Sequence, residues 1–327
     1  MSITFDLDLD TIAGRVDMVG PGIRRVLAPN AGPFTFRGTG TYIVGSGTVA
    51  VIDPGPADDA HIAALVRALG NETVSHLVVT HTHADHSPGA RTLQALVGGT
   101  IVGCAPHPLE HPSDHPSDHP SSGADIASSA IPAPLDESAG ESAGEQKESS
   151  DTDHRPQLQL HDGEAVSGPG WTLEAVETPG HISNHLCFAY PQASVLFSGD
   201  HVMRWSTSVI SPPTGDLRAY YISLDKVAAR FESTYWPTHG PAVRDPQQYV
   251  AALAEHRRHR TRQIVEALGD GPHTVVELVA AMYPGLDERL VKAAGRSVLA
   301  HLLALMADDQ AESSGAPEDI SSQFALR

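Results

Sequence analysis

A chain of 327 residues with 40% hydrophobic and 19% charged side chains carries enough apolar surface for one large core and a small second one. Its 21 basic residues against 40 acidic ones give a formal net charge of −19, which repels phosphate backbones at long range and disfavours RNA as a partner. No stretch approaches the roughly 20 apolar residues of a membrane span, the start MSITFDLDLD is acidic where a signal peptide is basic, and Cys104 and Cys187 are too few for a disulfide framework, so a cytoplasmic chain with two buried thiols is expected.

Residues 1–33 read as an irregular lead-in. Thr41–Val44 and Thr48–Ile52 are β-branched runs around Gly45-Ser46-Gly47, the pattern of a hairpin. The second run ends at Asp53, a carboxylate placed either to orient a ligand histidine or to cap a turn. Ile62, Leu65, Val66 and Leu69 then fall at helical spacing with Gly70 as the stop, leaving His61 on the helix edge, expected at the surface.

Leu77-Val78-Val79 reads as a short buried strand that runs directly into His81, His83, Asp85 and His86. Side chains at such a strand end fan out from the carboxyl edge of a sheet, where open α/β folds hold ligands. Imidazoles and a carboxylate at this spacing suit Zn(II), Fe(II) or Mn(II). Four donors are too many for one catalytic ion that keeps a position open, so two ions are the natural reading.

A helix over Gly89–Val97 and a strand over Thr100–Val102 continue an α/β alternation. Residues 105–156 break it. The segment is rich in Ser, Pro, Asp, Glu and His, with hardly a large apolar side chain, and reads as a disordered acidic insertion. Its His107, His111, His115 and His119 are taken as products of short H-P-S-D duplication rather than as a metal-loading tract.

Strand patterns resume at Trp171–Val176, Leu186–Tyr190 and Ser194–Phe197. Three further ligand types stand where strands give out into Pro or Gly turns: His181 in TPGH, Asp200 in SGD and His239 in THGP. His185 is expected to orient a neighbouring ligand or pack beneath it, and is one candidate for protonating a leaving group. His201 reads as structural. The loop MRWSTSVISPPTGD is placed to shape a pocket, and a helix over Leu217–Phe231 offers Tyr220, Leu224, Val227 and Phe231 to the core.

Asp245-Pro246 starts a long helix running to Leu268. A capping box at Thr274 and Glu277 starts the next, and a third is expected near Asp287–Ala307. The chain therefore divides at 1–244 and 245–327. The cluster HRRHRTR, His256 to Arg262, reads as a solvated helix face with Arg257 or Arg260 paired to an acid, in preference to a phosphate-contacting patch.

The stretches Thr80–His86, Thr178–His181, Ser198–Asp200 and Thr238–Pro241 together resemble the metallo-β-lactamase-fold hydrolases. Asn30–Tyr42 (NAGPFTFRGTGTY) and the helical C-terminal region are similar to the lactamase-beta-2-like group within them. The resemblance implies an αββα sandwich followed by a winged-helix-like domain, although residues 308–322 are too polar to promise a wing. It implies one metal on His81, His83 and His181, a second on Asp85, His86 and His239, and Asp200 as the bridge. Two Zn(II) per chain are expected, with iron and manganese also suited, and Asp85 and Asp200 are the carboxylates expected to take part in catalysis. Gly40 departs from the group, where Asn is usual.

Two ions bridged by a carboxylate can share a water and lower its pKa toward neutrality. The expected reaction is therefore hydrolysis of a small carbonyl substrate, a thioester, ester, lactone or β-lactam. The alternatives are a phosphodiesterase acting on single-stranded RNA and a mononuclear-iron persulfide dioxygenase.

Overall fold

Two β-sheets face each other across one apolar core in the computed structural model, which describes residues 3–107, 150–317, 319 and 321–327. The first sheet has seven strands in sequence order: β1 (Val16–Gly20), β2 (Ile23–Leu27), β3 (Gly40–Ser46), β4 (Thr48–Ile52), β5 (Thr73–Val79), β6 (Thr100–Gly103) and β7 (Leu158–Gln159). It is antiparallel as far as β4 and parallel from β4 to β7. The second sheet has the order β12-β11-β10-β9-β8, built from β8 (Ala165–Gly168), β9 (Trp171–Glu177), β10 (Leu186–Tyr190), β11 (Val195–Gly199) and β12 (Thr234–Pro237).

Ile43, Val51, Leu77 and Val79 of one sheet share the core with Leu173, Ala175, Phe188 and Phe197 of the other, and α1 (Asp59–Leu69) and α2 (Pro88–Val97) add Ile62, Leu65 and Leu93. On the second sheet, Val176, Cys187 and Leu196 pack against α3 (Leu217–Ala228) and the first half of α4 (Pro246–Leu268). The outcome is an αββα sandwich. The second half of α4 enters a separate core with α5 (Val275–Met282), α6 (Glu288–Ala307) and a small sheet of order β13-β15-β14, from β13 (His273–Thr274), β14 (Ala311–Ser313) and β15 (Gln323–Leu326). That hairpin is a wing. Its anchors are Ala311 and Phe324, both buried, and two such residues give too faint an alternation to stand out in a polar stretch.

Other expectations need correction. Residues 16–27 form the β1–β2 hairpin rather than irregular chain. Arginines interrupt the apolar pattern of β2, but Arg24 reaches the Ala68 carbonyl at 3.1 Å and Arg25 is buried over the Trp236 ring. The α3 helix stops at Ala228, so Phe231 lies beyond the core stripe and is 95% exposed. His61 is buried instead of superficial, its Nε2 2.9 Å from Thr41 Oγ1. Arg257 is buried too, and pairs with the Ser208 carbonyl and the Tyr220 ring rather than with an acid.

The bulk of the acidic insertion, with His111, His115 and His119, lies outside the described residues, but its far end is ordered. Asp151 and His154 are buried, and the Asp151 amide donates to the Thr82 carbonyl at 2.7 Å. Cys104 and Cys187 are buried free thiols. No helix among the described residues is long and apolar enough to cross a membrane.

Buried histidines give the fold a pH limit. Burial pushes His61 down to about 4 and His301, at the α4–α6 contact, to about 3. Both are neutral when folded and free to take a proton when unfolded below the ordinary value near 6.5. Their contribution is therefore complete above about pH 6.5 and is lost as pH falls toward 4, at roughly 1.4 kcal/mol per pH unit for each. Urea unfolding at pH 7, 6 and 5 should show this slope, and His301→Gln should remove about one proton's share; an identical slope in that variant refutes the assignment.

Candidate metal centre

All seven sequence-predicted ligands converge at one edge of the sandwich. The peptide after β5 carries His81, His83, Asp85 and His86; the turns after β9, β11 and β12 carry His181, Asp200 and His239. Donor atoms of His81, His83 and His181 lie within 4.8 Å of one another, as do those of Asp85, His86 and His239, and those of His81, His86 and Asp200. His83 Nδ1 is 3.0 Å from His81 Nε2 and 2.9 Å from His181 Nε2. Asp200 Oδ2 stands 3.7 Å from His181 Nε2, 3.6 Å from His86 Nε2 and 3.4 Å from His239 Nε2. One carboxylate thus touches both triads. Imidazoles packed this tightly in a buried setting repel as cations and gain little as hydrogen-bonding neighbours, whereas an ion between them satisfies every inward lone pair. Two inward atoms, His86 Nε2 and Asp200 Oδ1, are buried without a hydrogen-bond partner, as metal donors would be.

The outward nitrogens are held. His81 Nδ1 meets Thr80 Oγ1 at 3.0 Å, His86 Nδ1 meets Asp53 Oδ2 at 3.0 Å, His181 Nδ1 donates to the Val209 carbonyl at 2.6 Å and His239 Nδ1 to the Gly38 carbonyl at 3.3 Å. Such partners fix the ring angle and the tautomer. Asp53 is the largest hub, also accepting from the Thr80 amide (2.8 Å), Thr80 Oγ1 (2.7 Å) and Thr238 Oγ1 (3.2 Å). Asp85 is held by Thr39 Oγ1 at 2.9 Å, itself fixed by Asn30. The sequence reading missed Thr39 and Asn30 as site residues, although both lie in the stretch that carried the resemblance.

His185 works from below. Its Nε2 accepts the Asp200 amide at 3.1 Å and its Nδ1 meets Thr178 Oγ1 at 2.8 Å. Both nitrogens are engaged, which places the ring to orient Asp200 and leaves neither nitrogen free toward the pocket. Gly199 allows the approach: with φ of 51°, a Cβ there would sit 2.5 Å from His185 Nε2. His201 is structural as expected, buried with its ring 4.8 Å from that of Tyr220. Gly40 has a local reason, since a Cβ would lie 3.0 Å from the Thr238 carbonyl and 3.2 Å from Arg25 Cδ, leaving an Asn no room without a shift.

Charge divides the ligands. Burial, reinforced by neighbouring imidazoles, holds His81 and His83 well below their ordinary pKa, so they are neutral donors. At His86 and His239 burial is outweighed by Asp85 and Asp200, which lift His86 well above its usual value and His239 to about 10. A cation entering there displaces protons, so metal uptake is proton-linked.

The pocket over the ligands is narrow, about 20 Å³, walled by Phe34, Met203, Trp205 and Val209 with the Ser206 hydroxyl. Trp205 is fixed between Phe36, stacked at 5.0 Å, and Gly240, where a Cβ would come within 2.6 Å of the indole. The loop expected to shape the pocket therefore does so.

Residues 35–253 match the family model of the metallo-beta-lactamase superfamily, and residues 274–319 match that of the beta-lactamase associated winged helix domain. An atrochrysone carboxyl ACP thioesterase of Cryptosporiopsis sp. (strain 8999) is 27% identical over 90% of this chain and 82% of its own length. Another, from Paecilomyces divaricatus, is 28% identical over 95% and 88%. Among solved structures, a beta-lactamase domain protein from Burkholderia ambifaria superposes with TM-score 0.72 at 20% identity, covering 97% of this chain and 96% of that one. A metallo-beta-lactamase family protein from Thermus thermophilus gives 0.68 at 22%, covering 94% and 99%.

Proposed function

The chain belongs to the metallo-beta-lactamase superfamily, and on that footing we propose that it is a metal-dependent thioesterase holding two divalent ions, zinc foremost. His81, His83 and His181 would hold one ion and Asp85, His86 and His239 the other, with Asp200 shared between the two triads. Bound there, the ions supply Lewis acidity and a lowered pKa for the attacking water. The chain's own residues do the rest. Asp53, Thr39 and His185 hold the ligands in register, and the aromatic wall of Phe34 and Trp205 keeps bulk water from the reacting end of the substrate.

One observation favours the thioester among carbonyl substrates. Among the described residues lining the pocket, no acid or base stands outside the ligand set; Ser206 alone adds a hydroxyl, and His185 is committed to the Asp200 amide. Amide nitrogen and alkoxide depart poorly unless protonated. A thiolate, with a thiol pKa near 8.5, departs without help. The similarity to ACP thioesterases supports the same choice.

The RNA reading loses part of its electrostatic support, because Arg257 is buried, Arg260 donates to Gln263 Oε1 at 2.9 Å and Arg262 pairs with Glu255 at 2.6 Å.

The test is a parallel assay on matched thioester and oxygen ester, a lactone, a chromogenic β-lactam, a phosphodiester and single-stranded RNA. The thioester should exceed the oxygen ester in kcat/KM by about 100-fold or more, within the 10²–10⁴ range of a missing general acid, and His83→Ala should abolish the activity. RNA cleavage that vanishes in His83→Ala while thioesters stay inert overturns the proposal.

A further inference from the structure

A second cavity, about 560 Å³ and far larger than the metal pocket, adjoins it through two loops. Arg244 on its wall follows the ligand His239 in the same loop, and Arg204 precedes Trp205 of the metal pocket. Arg25 on its floor reaches the Gly240 carbonyl at 3.4 Å. Acidic residues outnumber basic ones 40 to 21 in this chain, so three arginines framing one cavity beside the site run against the net charge of −19.

The guanidinium groups are presented alike. Arg25 and Arg244 lie over the Trp236 ring at 5.6 and 5.9 Å, and Arg204 lies over Tyr249 at 4.7 Å. Faces covered by aromatic rings leave the N–H edges to donate, the arrangement suited to a phosphate or carboxylate. Arg25 is 5% exposed, touches Asp17 only at 3.7 Å, and its Nε has no partner. A buried guanidinium whose charge no acid approaches closer than 3.7 Å is costly unless an anion beside it offsets the charge.

Acids line the same cavity. Asp245 follows Arg244 at the start of α4, and Asp6, Asp8 and Asp10 come from the N-terminal segment, which docks by its main chain through the Asp6 amide to the Arg204 carbonyl at 3.0 Å. Among the described residues no ion pair joins the Asp6, Asp8 and Asp10 carboxylates to Arg25, Arg204 or Arg244. The Asp6 carboxylate accepts the Asp8 amide, and Asp10 approaches Arg15 at 3.9 Å. The segment brings negative charge to the arginines without engaging them, which is how a weak, displaceable occupant is built.

We infer that the cavity framed by Arg25, Arg204 and Arg244 binds the phosphate of the thioester's carrier, a phosphopantetheine-type arm, and that the acidic N-terminal segment is the occupant it displaces. The inference rests on the thioesterase reading. The metal pocket admits only the reacting end of a substrate, and the arm separates thioester from phosphate, so the phosphate has to be bound outside that pocket.

The experiment compares one acyl group on three carriers: N-acetylcysteamine, which lacks phosphate, coenzyme A, and a phosphopantetheinylated carrier protein. KM should be about tenfold lower on the two phosphate-bearing carriers, the factor of roughly one charge-assisted hydrogen bond. That ratio should collapse toward one in Arg204→Gln/Arg244→Gln, and should widen at low salt in Asp6→Asn/Asp8→Asn/Asp10→Asn. The opposite signs separate a binding role from a structural one, since damage to the fold weakens both sets alike. An advantage for the carrier protein alone assigns the recognition to its surface and overturns the inference, as does a ratio that neither variant set moves. If no thioester is hydrolysed the thioesterase reading falls, and calorimetric titration with coenzyme A decides the cavity separately: binding weakened about tenfold by the arginine variants upholds it, and no binding, or binding indifferent to them, sinks it.

Discussion

Replacing Asp200 with alanine is expected to empty both metal positions and to lower hydrolysis by on the order of 10³-fold. The reason is where its Oδ2 stands, 3.4 to 3.7 Å from ligand nitrogens of His86, His181 and His239, so that one carboxylate serves both triads. Burial raises the cost of charge at Asp200, yet His239 and His86 more than offset it and hold the carboxyl well below its ordinary range, so the group is an anion over the whole working range of pH. Removing it deletes the negative charge that the two proposed ions would share. Elemental analysis should give two ions per chain for the parent protein and none retained by the variant. Asp200→Asn keeps the shape and loses the charge, and should resemble the alanine variant in metal content. Full occupancy with activity within tenfold of the parent would remove Asp200 from the bridging position.

The seven converging donors were legible in the sequence because metal chemistry demands a dense local pattern. His81, His83, Asp85 and His86 follow a single buried strand, and the remaining three stand at strand ends in turns rich in Pro and Gly. The groups that hold the ligands were mostly illegible for the converse reason. The Gly38 and Val209 carbonyls and Thr39 Oγ1 become partners of His239, His181 and Asp85 only when chain segments far apart in sequence are brought together. A carbonyl has no residue identity to read. Asp53 was half legible, since its position at the end of β4 suggested a partner and the sequence offered a turn equally well.

The structured end of the acidic insertion teaches the same lesson. Asp151 looks like any acid of a polar tract, but Arg91 binds it through two nitrogens at 2.8 and 3.1 Å, and Ser87, next to the ligand His86, donates to it at 2.7 Å. Burial and these partners act in opposite directions on its pKa, and the partners prevail, lowering it. Composition describes what a segment can bury by itself, whereas Asp151 is buried by helix α2.

Asp53→Ala should both loosen the fold and weaken metal binding, although Asp53 is in neither triad. Its carboxylate accepts from the Thr80 amide, Thr80 Oγ1, His86 Nδ1 and Thr238 Oγ1, so a single side chain joins the ends of β4, β5 and β12. Alanine leaves those donors buried and unpaired, and breaking such a network by removing one partner costs about 3–5 kcal/mol. His86 loses the contact that fixes its ring, a change worth roughly 10–100-fold in metal affinity. Asn tolerates the positive φ of 46° better than most residues, so Asp53→Asn preserves the backbone. Its amide can accept at one atom only, and it turns a donor toward groups that already donate. The asparagine variant should therefore keep more of the stability while still losing metal to a chelator faster than the parent. Denaturant unfolding without added metal and chelator competition separate the two effects. A variant that unfolds within about 0.5 kcal/mol of the parent, by the usual measure of a neutral surface change, and retains its metals equally well would show that His86 is positioned by its own peptide and needs nothing from β4.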